Sequence, residues 1–316
     1  MILLVTGGCG FIGSHFINHY FHNGLTLINL DAMYYCAREE NIDASIRAHP
    51  NYFFVTGNLR DKAFVEQVLQ EHQPTHVIHF AAQSHVQRSF DDSLEFTYDN
   101  VLGTHILIEC CRVYGKIERF IHVSTDEVYG ESMNCTEELH KTEKSILCPT
   151  NPYAATKAGA ELIVQAYSHS YKMPIIITRG NNVYGPNQYP EKVIPRFIQQ
   201  LKRGEKVTIQ GNGTAVRGFL HAHDTATAFA LILEKGVVGE IYNIGTENEH
   251  SVMDIARRLI RRIHPHDEEE KWIRYIEDRP FNDQRYYISN AKLKALGWEV
   301  TIELEQGLEE LVRLDG

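Results

Sequence analysis

Tyr153 and Lys157 stand four residues apart in Tyr153-Ala154-Ala155-Thr156-Lys157, a spacing that puts a phenol and an ammonium on one face of a helix. A tyrosine of reference pKa ~10 is neutral near physiological pH, and moving it three units needs only ~4 kcal/mol. A neighbouring ammonium supplies part of that, so Tyr153 can take a proton from a hydroxyl while a hydride leaves the same carbon. Upstream, Ser124-Thr125-Asp126-Glu127-Val128-Tyr129-Gly130 ends a run of apolar residues with two adjacent acids. A plain dehydrogenase needs neither. Removing water from a sugar requires a base for a carbon-bound proton and an acid for the departing hydroxyl, work that two carboxyl groups in unlike environments perform. Strand alternation would send neighbours to opposite faces, so the pair is expected where the strand gives way to a loop.

A hydride needs an acceptor, and the N-terminus provides the pattern for one. Val5-Thr6-Gly7-Gly8-Cys9-Gly10-Phe11-Ile12-Gly13 places glycines between a first strand and a first helix. Such a turn lets backbone N–H groups of Gly10, Phe11, Ile12 and Gly13 approach a pyrophosphate at the helix N-terminus. The second strand ends on Asp31, placed to accept from both ribose hydroxyls and to repel a 2′-phosphate. Ala32 and Met33 follow it instead of Arg or Lys, which favours NAD over NADP. Asn58-Leu59 after the third strand is placed at an adenine edge. Ala81 and Ala82 after the fourth leave room for a cofactor to pass.

These residues require a scaffold of alternating elements. Strands are expected at Ile2–Thr6, Leu25–Leu30, Tyr52–Thr56, His76–Phe80, Arg119–Ser124 and Pro174–Thr178, with helices at Phe11–Phe21, Lys62–His72, Leu94–Tyr114 and Pro152–Tyr171. Strand–helix alternation means parallel strands and crossovers, hence an α/β doubly wound (Rossmann) sheet. Residues 1–180 are read as the NAD-binding domain carrying the catalytic groups. Residues 181–316 are read as mostly a smaller mixed α/β lobe, with Ile241–Gly245 and the helix after Ala222 as segments that could return to the main sheet. The net charge of -10 argues against a nucleic-acid surface. No stretch approaches the ~20 apolar residues of a membrane span. The six cysteines lack metal-ligand spacing, so reduced thiols, no metal and a cytoplasmic location are expected, with no secretory signal at the N-terminus.

Taken together, the segments resemble the nucleoside-diphosphate-glucose 4,6-dehydratases of the extended short-chain dehydrogenase/reductase family. The resemblance rests on Thr125-Asp126-Glu127, Tyr153 with Lys157, and His79-Phe80-Ala81-Ala82-Gln83-Ser84-His85. It rests also on Asn182-Val183-Tyr184-Gly185-Pro186, Pro190-Glu191-Lys192 and Arg279-Pro280-Phe281-Asn282-Asp283-Gln284-Arg285-Tyr286. It implies that Tyr153, supported by Thr125, oxidises C4 and passes hydride to NAD. Glu127 then removes the C5 proton, Asp126 protonates the C6 hydroxyl as water leaves, and hydride returns to C6. The product would be a 4-keto-6-deoxy sugar nucleotide of the kind used in deoxysugar biosynthesis, including that of rhamnose. The resemblance further implies that Ser84, His85, Asn182, Lys192, Val193, Arg217, Arg279 and Asn282 lie near the substrate, with Ser84 also near the cofactor. A guanidinium at Arg217 independently suits phosphate. It implies a homodimer that pairs the helix near Thr104–Arg112 with the one carrying Tyr153.

The chain departs from the family's common pattern in three places: Ala32 follows the ribose acid, Asn58 replaces an acid, and Thr208-Ile209-Gln210 replaces a Pro-x-aromatic packing pair. Gln83, Asn187-Gln188 and the run from Arg279 to Tyr286 look closer to plant-type UDP-glucose dehydratases than to bacterial dTDP-glucose enzymes. A sugar-nucleotide 4-epimerase or decarboxylase shares the fold and the Tyr/Lys pair but leaves Asp126-Glu127 without a task. A non-catalytic NAD-sensing scaffold would not need to keep all four of Tyr153, Lys157, Asp126 and Glu127.

Overall fold

The computed structural model describes residues 1–22, 24–132, 140–278 and 281–314. Short apolar segments form its strands, and amphipathic segments between them form its helices. In chain order the principal elements are β1 (Ile2–Thr6), α1 (Phe11–Tyr20), β2 (Thr26–Asp31), β3 (Tyr52–Thr56), α2 (Lys62–His72), β4 (His76–His79), α3 (Thr104–Tyr114), β5 (Arg119–Thr125), α4 (Pro152–Tyr171) and β6 (Ile175–Gly180). There follow β7 (Asn182–Tyr184), α5 (Val193–Lys202), β8 (Val207–Gln210), β9 (Val216–His221), α6 (Ala222–Lys235), β10 (Ile241–Ile244), β11 (Glu249–Ser251), α7 (Val252–Ile263), β12 (Ile273–Ile276) and α8 (Leu304–Leu314).

Seven strands form one parallel sheet in the order β10-β6-β5-β4-β1-β2-β3. The chain starts in the middle, winds outward to β3, then crosses to β4 and winds the other way. The order therefore reverses between β1 and β4, where the strand ends splay and leave a crevice. One face of the sheet buries Leu3, Val5, Ile78 and Ile121 against α1 and α6; the other buries Leu4, Val77, Phe120 and Ile175 against α2, α3 and α4. Strands covered on both faces have no solvent side to mark, which explains their near-continuous apolar character.

The segment Ile241–Ile244 does return to the main sheet: β10 pairs with β6, and α6 packs against α1. A third apolar cluster, including Phe197, Ile198, Val207, Leu259, Ile260 and Leu308, lies among α5, β8, α7 and α8. Two small sheets, β11-β9-β7 and β12-β8, complete that region.

One expectation needs correction. Leu94–Tyr114 is not one regular helix: a four-residue helix at Ser93–Phe96 passes through a π-helical turn at Thr97–Gly103 before α3 begins. The wider turn brings Asp99 and Asn100 toward the crevice, where Asn100 Oδ1 accepts from the Gln83 N–H at 2.8 Å and Gln83 donates to Asp99 at 3.0 Å. Asn100 also donates to Thr156 at 3.0 Å, tying the turn to α4. Apolar periodicity cannot register such a turn, because the helical pattern resumes on either side.

Candidate active site

The crevice at the strand ends has a volume of about 650 Å³ and is lined by residues from both the sheet and the region beyond β6. At its base, Gly7 adopts φ +73°, and a Cβ there would lie 2.6 Å from the Ala81 nitrogen. A Cβ on Gly13 would lie 2.4 Å from the Gly7 carbonyl oxygen. Only glycine allows the first turn of α1 to close against β1 and β4 in this way. Gly10 caps α1 without any side-chain cap, so the first-turn N–H groups face the crevice with no internal acceptor supplied there. That is the arrangement an anion such as a pyrophosphate fits.

Asp31 ends β2 inside the crevice, its oxygens accepting from the N–H groups of Cys9 at 2.9 Å and Met33 at 2.8 Å. Burial pushes its carboxyl above the usual range, and these backbone donors oppose the shift. The Gly10 N–H is a third donor to the same carboxylate, which keeps lone-pair capacity for an incoming hydroxyl. Asn58 donates to the Tyr34 hydroxyl at 2.8 Å while its Oδ1 accepts from Arg60 N–H at 2.9 Å. Its side chain is thus committed on both ends, and Tyr34 extends the same wall. Phe11, Ile12, Leu59, Ala81, Ala82 and Ser84 line the crevice as well.

At the opposite end, β5 stops at Thr125 and a 3₁₀ turn, Asp126–Tyr129, carries both acids, as strand alternation required. Thr125 Oγ1 accepts from the Glu127 N–H at 3.3 Å and donates to Asp126 Oδ1 at 3.2 Å. The two carboxyl groups have unlike surroundings. Asp126 is buried, and desolvation together with the Glu127 charge raises its pKa to about 7. Glu127 reaches the open crevice; burial raises it too, opposed chiefly by a 2.9 Å bond from Asn151 Nδ2. Burial thus raises both acids, and the Asn151 donor draws Glu127 back toward its carboxylate.

Asn151 caps α4, with Pro152 behind it, and the next residue is Tyr153. Burial and the charges of Glu127 and Asp126 push the Tyr153 phenol up, while a hydrogen bond with Thr125 works against them. Lys157, its pKa lowered by burial to about 8, donates to the Val123 carbonyl at 2.6 Å. The expectation that Lys157 offsets the phenol's pKa therefore meets a different arrangement. In the protein alone the ammonium is engaged with β5, and Thr125 is the group that favours the phenolate.

Of the residues expected near a substrate, Ser84, His85, Asn182, Lys192, Val193, Arg217 and Asn282 all line this crevice. Arg279 lies outside the described residues. Arg217 stacks 4.7 Å above the Tyr286 ring and donates to the carbonyls of Val216 at 2.8 Å and Asp283 at 2.7 Å. Lys192 Nζ donates to the Ser84 carbonyl at 2.9 Å, joining α5 to the loop after β4.

The model of the family described as GDP-mannose 4,6 dehydratase matches residues 4–311. The chain belongs to that family. It is 47% identical, over 98% of its length, to the trifunctional UDP-glucose 4,6-dehydratase/UDP-4-keto-6-deoxy-D-glucose 3,5-epimerase/UDP-4-keto-L-rhamnose-reductase of Arabidopsis thaliana. It covers 46% of that relative, so it spans about half the length of the plant proteins it matches. It is 45% identical to the human dTDP-D-glucose 4,6-dehydratase, covering 98% of this chain and 88% of the other. The solved dTDP-glucose 4,6-dehydratase of Streptomyces venezuelae with NAD bound superposes with a TM-score of 0.91 at 37% identity, over 99% and 96% of the two chains.

Two groups in this member of the family escape sequence reasoning. Asn151 and Asn181 each donate to one of the paired acids, Asn181 to Asp126 Oδ2 at 2.7 Å. A cap before Pro152 was a readable signal for Asn151. Asn181 carries none, because its partner is 55 residues away.

Proposed function

We propose that this chain is an NAD-dependent nucleoside-diphosphate-glucose 4,6-dehydratase, a hydro-lyase that yields the 4-keto-6-deoxy sugar nucleotide, with UDP-glucose favoured over dTDP-glucose. The observation that carries the reading is the pair Asp126 and Glu127: two adjacent carboxyl groups in unlike environments, beside Tyr153, in one crevice with the glycine turn. Water elimination needs an acid and a base together, and this pair offers both.

The glycine turn with the first-turn N–H groups of α1 would hold the cofactor's pyrophosphate, and Asp31 its ribose hydroxyls. Bound there, NAD would accept a hydride from C4 and return it to C6. Tyr153 receives the C4 hydroxyl proton, with Thr125 hydrogen-bonded to the phenol. Lys157 carries a positive charge below pH about 8 and lies on the same helix face. A ketone at C4 acidifies the neighbouring C5–H, and Glu127 is placed to take that proton. Asp126, with its pKa raised to about 7 and so half protonated there, gives a proton to the C6 hydroxyl as water departs. Residues 1–180 thus carry the cofactor and the chemistry. Residues 181–316 bring Asn182, Lys192, Val193, Arg217 and Asn282 to the nucleotide. The UDP preference rests on Gln83, Asn187-Gln188 and the run through Tyr286.

The test is direct. Purified protein is incubated without added cofactor, separately with UDP-glucose and dTDP-glucose, and the product mass is followed. Loss of one water supports the reading, and the ratio of rates ranks the two bases. No mass change even with NAD supplied sinks it.

We also infer a homodimer built on α3 and α4. Tyr98, Leu102 and Val113 are exposed on the segment leading through α3, as are Leu162 and Tyr171 on α4, with Leu162 56% accessible. Tyr98, Leu102 and Val113 recur at helical spacing, Leu162 is exposed on the neighbouring α4, and such a surface suits helix-to-helix association. Sedimentation should give twice the chain mass, and Leu162→Glu should halve it; a monomeric parent protein rules the dimer out.

A further inference from the structure

The amide of Asn181 has a single permissible orientation. The residue follows β6 directly and is buried, and its backbone N–H donates to the Ile244 carbonyl at 2.9 Å. Its side-chain oxygen accepts from the Thr246 N–H at 3.0 Å. A backbone N–H can face only an acceptor, so the other end of the amide, the NH₂, must face Asp126. It does so at 2.7 Å from Oδ2. The loop after β10 is shaped around this amide: a Cβ on Gly245 would lie 2.2 Å from its oxygen, and one on Gly218 3.0 Å. Asn290 holds the same loop by donating to the Gly245 carbonyl at 2.7 Å.

We propose that Asn181 is a positioning residue that assigns the acidic proton of Asp126 to Oδ1, the oxygen beside Thr125. An NH₂ group cannot accept, and a carbonyl oxygen accepts better than a protonated one, so a proton on Oδ2 would weaken the 2.7 Å bond that the amide makes there. The neutral acid therefore carries its proton on Oδ1, 3.2 Å from Thr125 Oγ1, because the Thr125 hydroxyl, unlike an NH₂, can turn from donating to accepting. When that proton is delivered, the amide is already donating to the carboxylate that remains, and no reorganisation is needed. The inference rests on the dehydratase reading for its purpose, but the placement of the proton does not.

The groups facing Asp126 are Glu127 on its own turn, Tyr153 on α4 and Arg217 on β9, with Thr125 and Asn181 as hydrogen-bond partners. Glu127 and burial favour the neutral acid, whereas Asn181, Arg217 and Thr125 favour the carboxylate. Removing the amide donor must raise the Asp126 pKa, so the acid stays protonated to higher pH.

The experiment compares the parent, Asn181→Leu and Asn181→Ala, each titrated by the ¹³C-carboxyl signal that disappears in Asp126→Asn. The Asp126 titration should move up by about one unit in both variants. In turnover of UDP-glucose or dTDP-glucose, the alkaline limb should move up with it and kcat should fall about tenfold. KM should stay within about twofold, since Asn181 is not assigned to substrate. Reading both variants keeps the test open if one fails to fold. An unshifted titration in a folded variant overturns the proposal while leaving a dehydratase intact. A shifted titration in a protein that dehydrates neither sugar nucleotide supports the proton placement and removes the dehydratase reading instead.

Discussion

Replacing Glu127 with glutamine is expected to leave a folded protein that oxidises its sugar nucleotide but releases no water. The substitution preserves shape and can still pair with Asn151 if the new amide presents its oxygen to Nδ2, where Glu127 Oε2 now accepts at 2.9 Å. What it removes is a base. An amide cannot accept the C5 proton, so turnover to the dehydrated product should fall by about 10²–10⁴, the usual worth of a positioned general base. Two measurements separate this from a general loss of activity. Product mass should show a sugar nucleotide lacking two hydrogens and retaining its C6 oxygen. Deuterium from solvent should no longer enter at C5. Near-normal water loss would remove Glu127 from the role of base and leave Asp126 or Tyr153 to fill it.

The parts of this site that were readable from sequence share one property: their chemistry is local in the chain. Gly7, Gly10 and Gly13 crowd one turn, Asp126 and Glu127 are neighbours, and Tyr153 and Lys157 lie one helical turn apart. The strands from β1 to β6 were legible because each is a short apolar run between amphipathic helices. What was not legible depends on distant contacts or on backbone geometry without a pattern. Asn181 matters through Asp126, Thr246 and Gly245, and only the fold brings these together. The π-turn at Thr97–Gly103 leaves the apolar spacing nearly intact while redirecting Asp99 and Asn100. Lys157 lies one helical turn beyond Tyr153, yet its ammonium engages the Val123 carbonyl, a choice made by strand position and not by the motif.

The same distance-dependence governs what holds the acids in place. Glu161 on α4 and Arg179 on β6 form an ion pair with almost no solvent access, 0% and 2% for the two side chains. Arg179 Nε contacts both Glu161 oxygens at 3.2 Å, its Nη1 donates to the Tyr129 hydroxyl at 2.7 Å, and that hydroxyl donates to Asn243 Oδ1 at 2.8 Å. Tyr129 closes the turn that begins with Asp126, Glu161 lies one helical turn beyond Lys157, and Arg179 is two residues before Asn181. A single guanidinium therefore ties the acids' turn, the Tyr153 helix and β6 together. Glu161→Gln keeps the volume and leaves the Arg179 charge buried without a counter-charge. Such a break costs about 3–5 kcal/mol, which for a chain of this size lowers the melting temperature by about 5–8 °C. The double variant Glu161→Leu/Arg179→Met removes both charges and should recover part of that loss, because paired burial of ions is itself expensive. Thermal unfolding of the single and double variants reads the difference. A Glu161→Gln protein that melts with the parent would mean that the hydrogen bonds to Tyr129 and the Glu143 carbonyl satisfy Arg179 on their own.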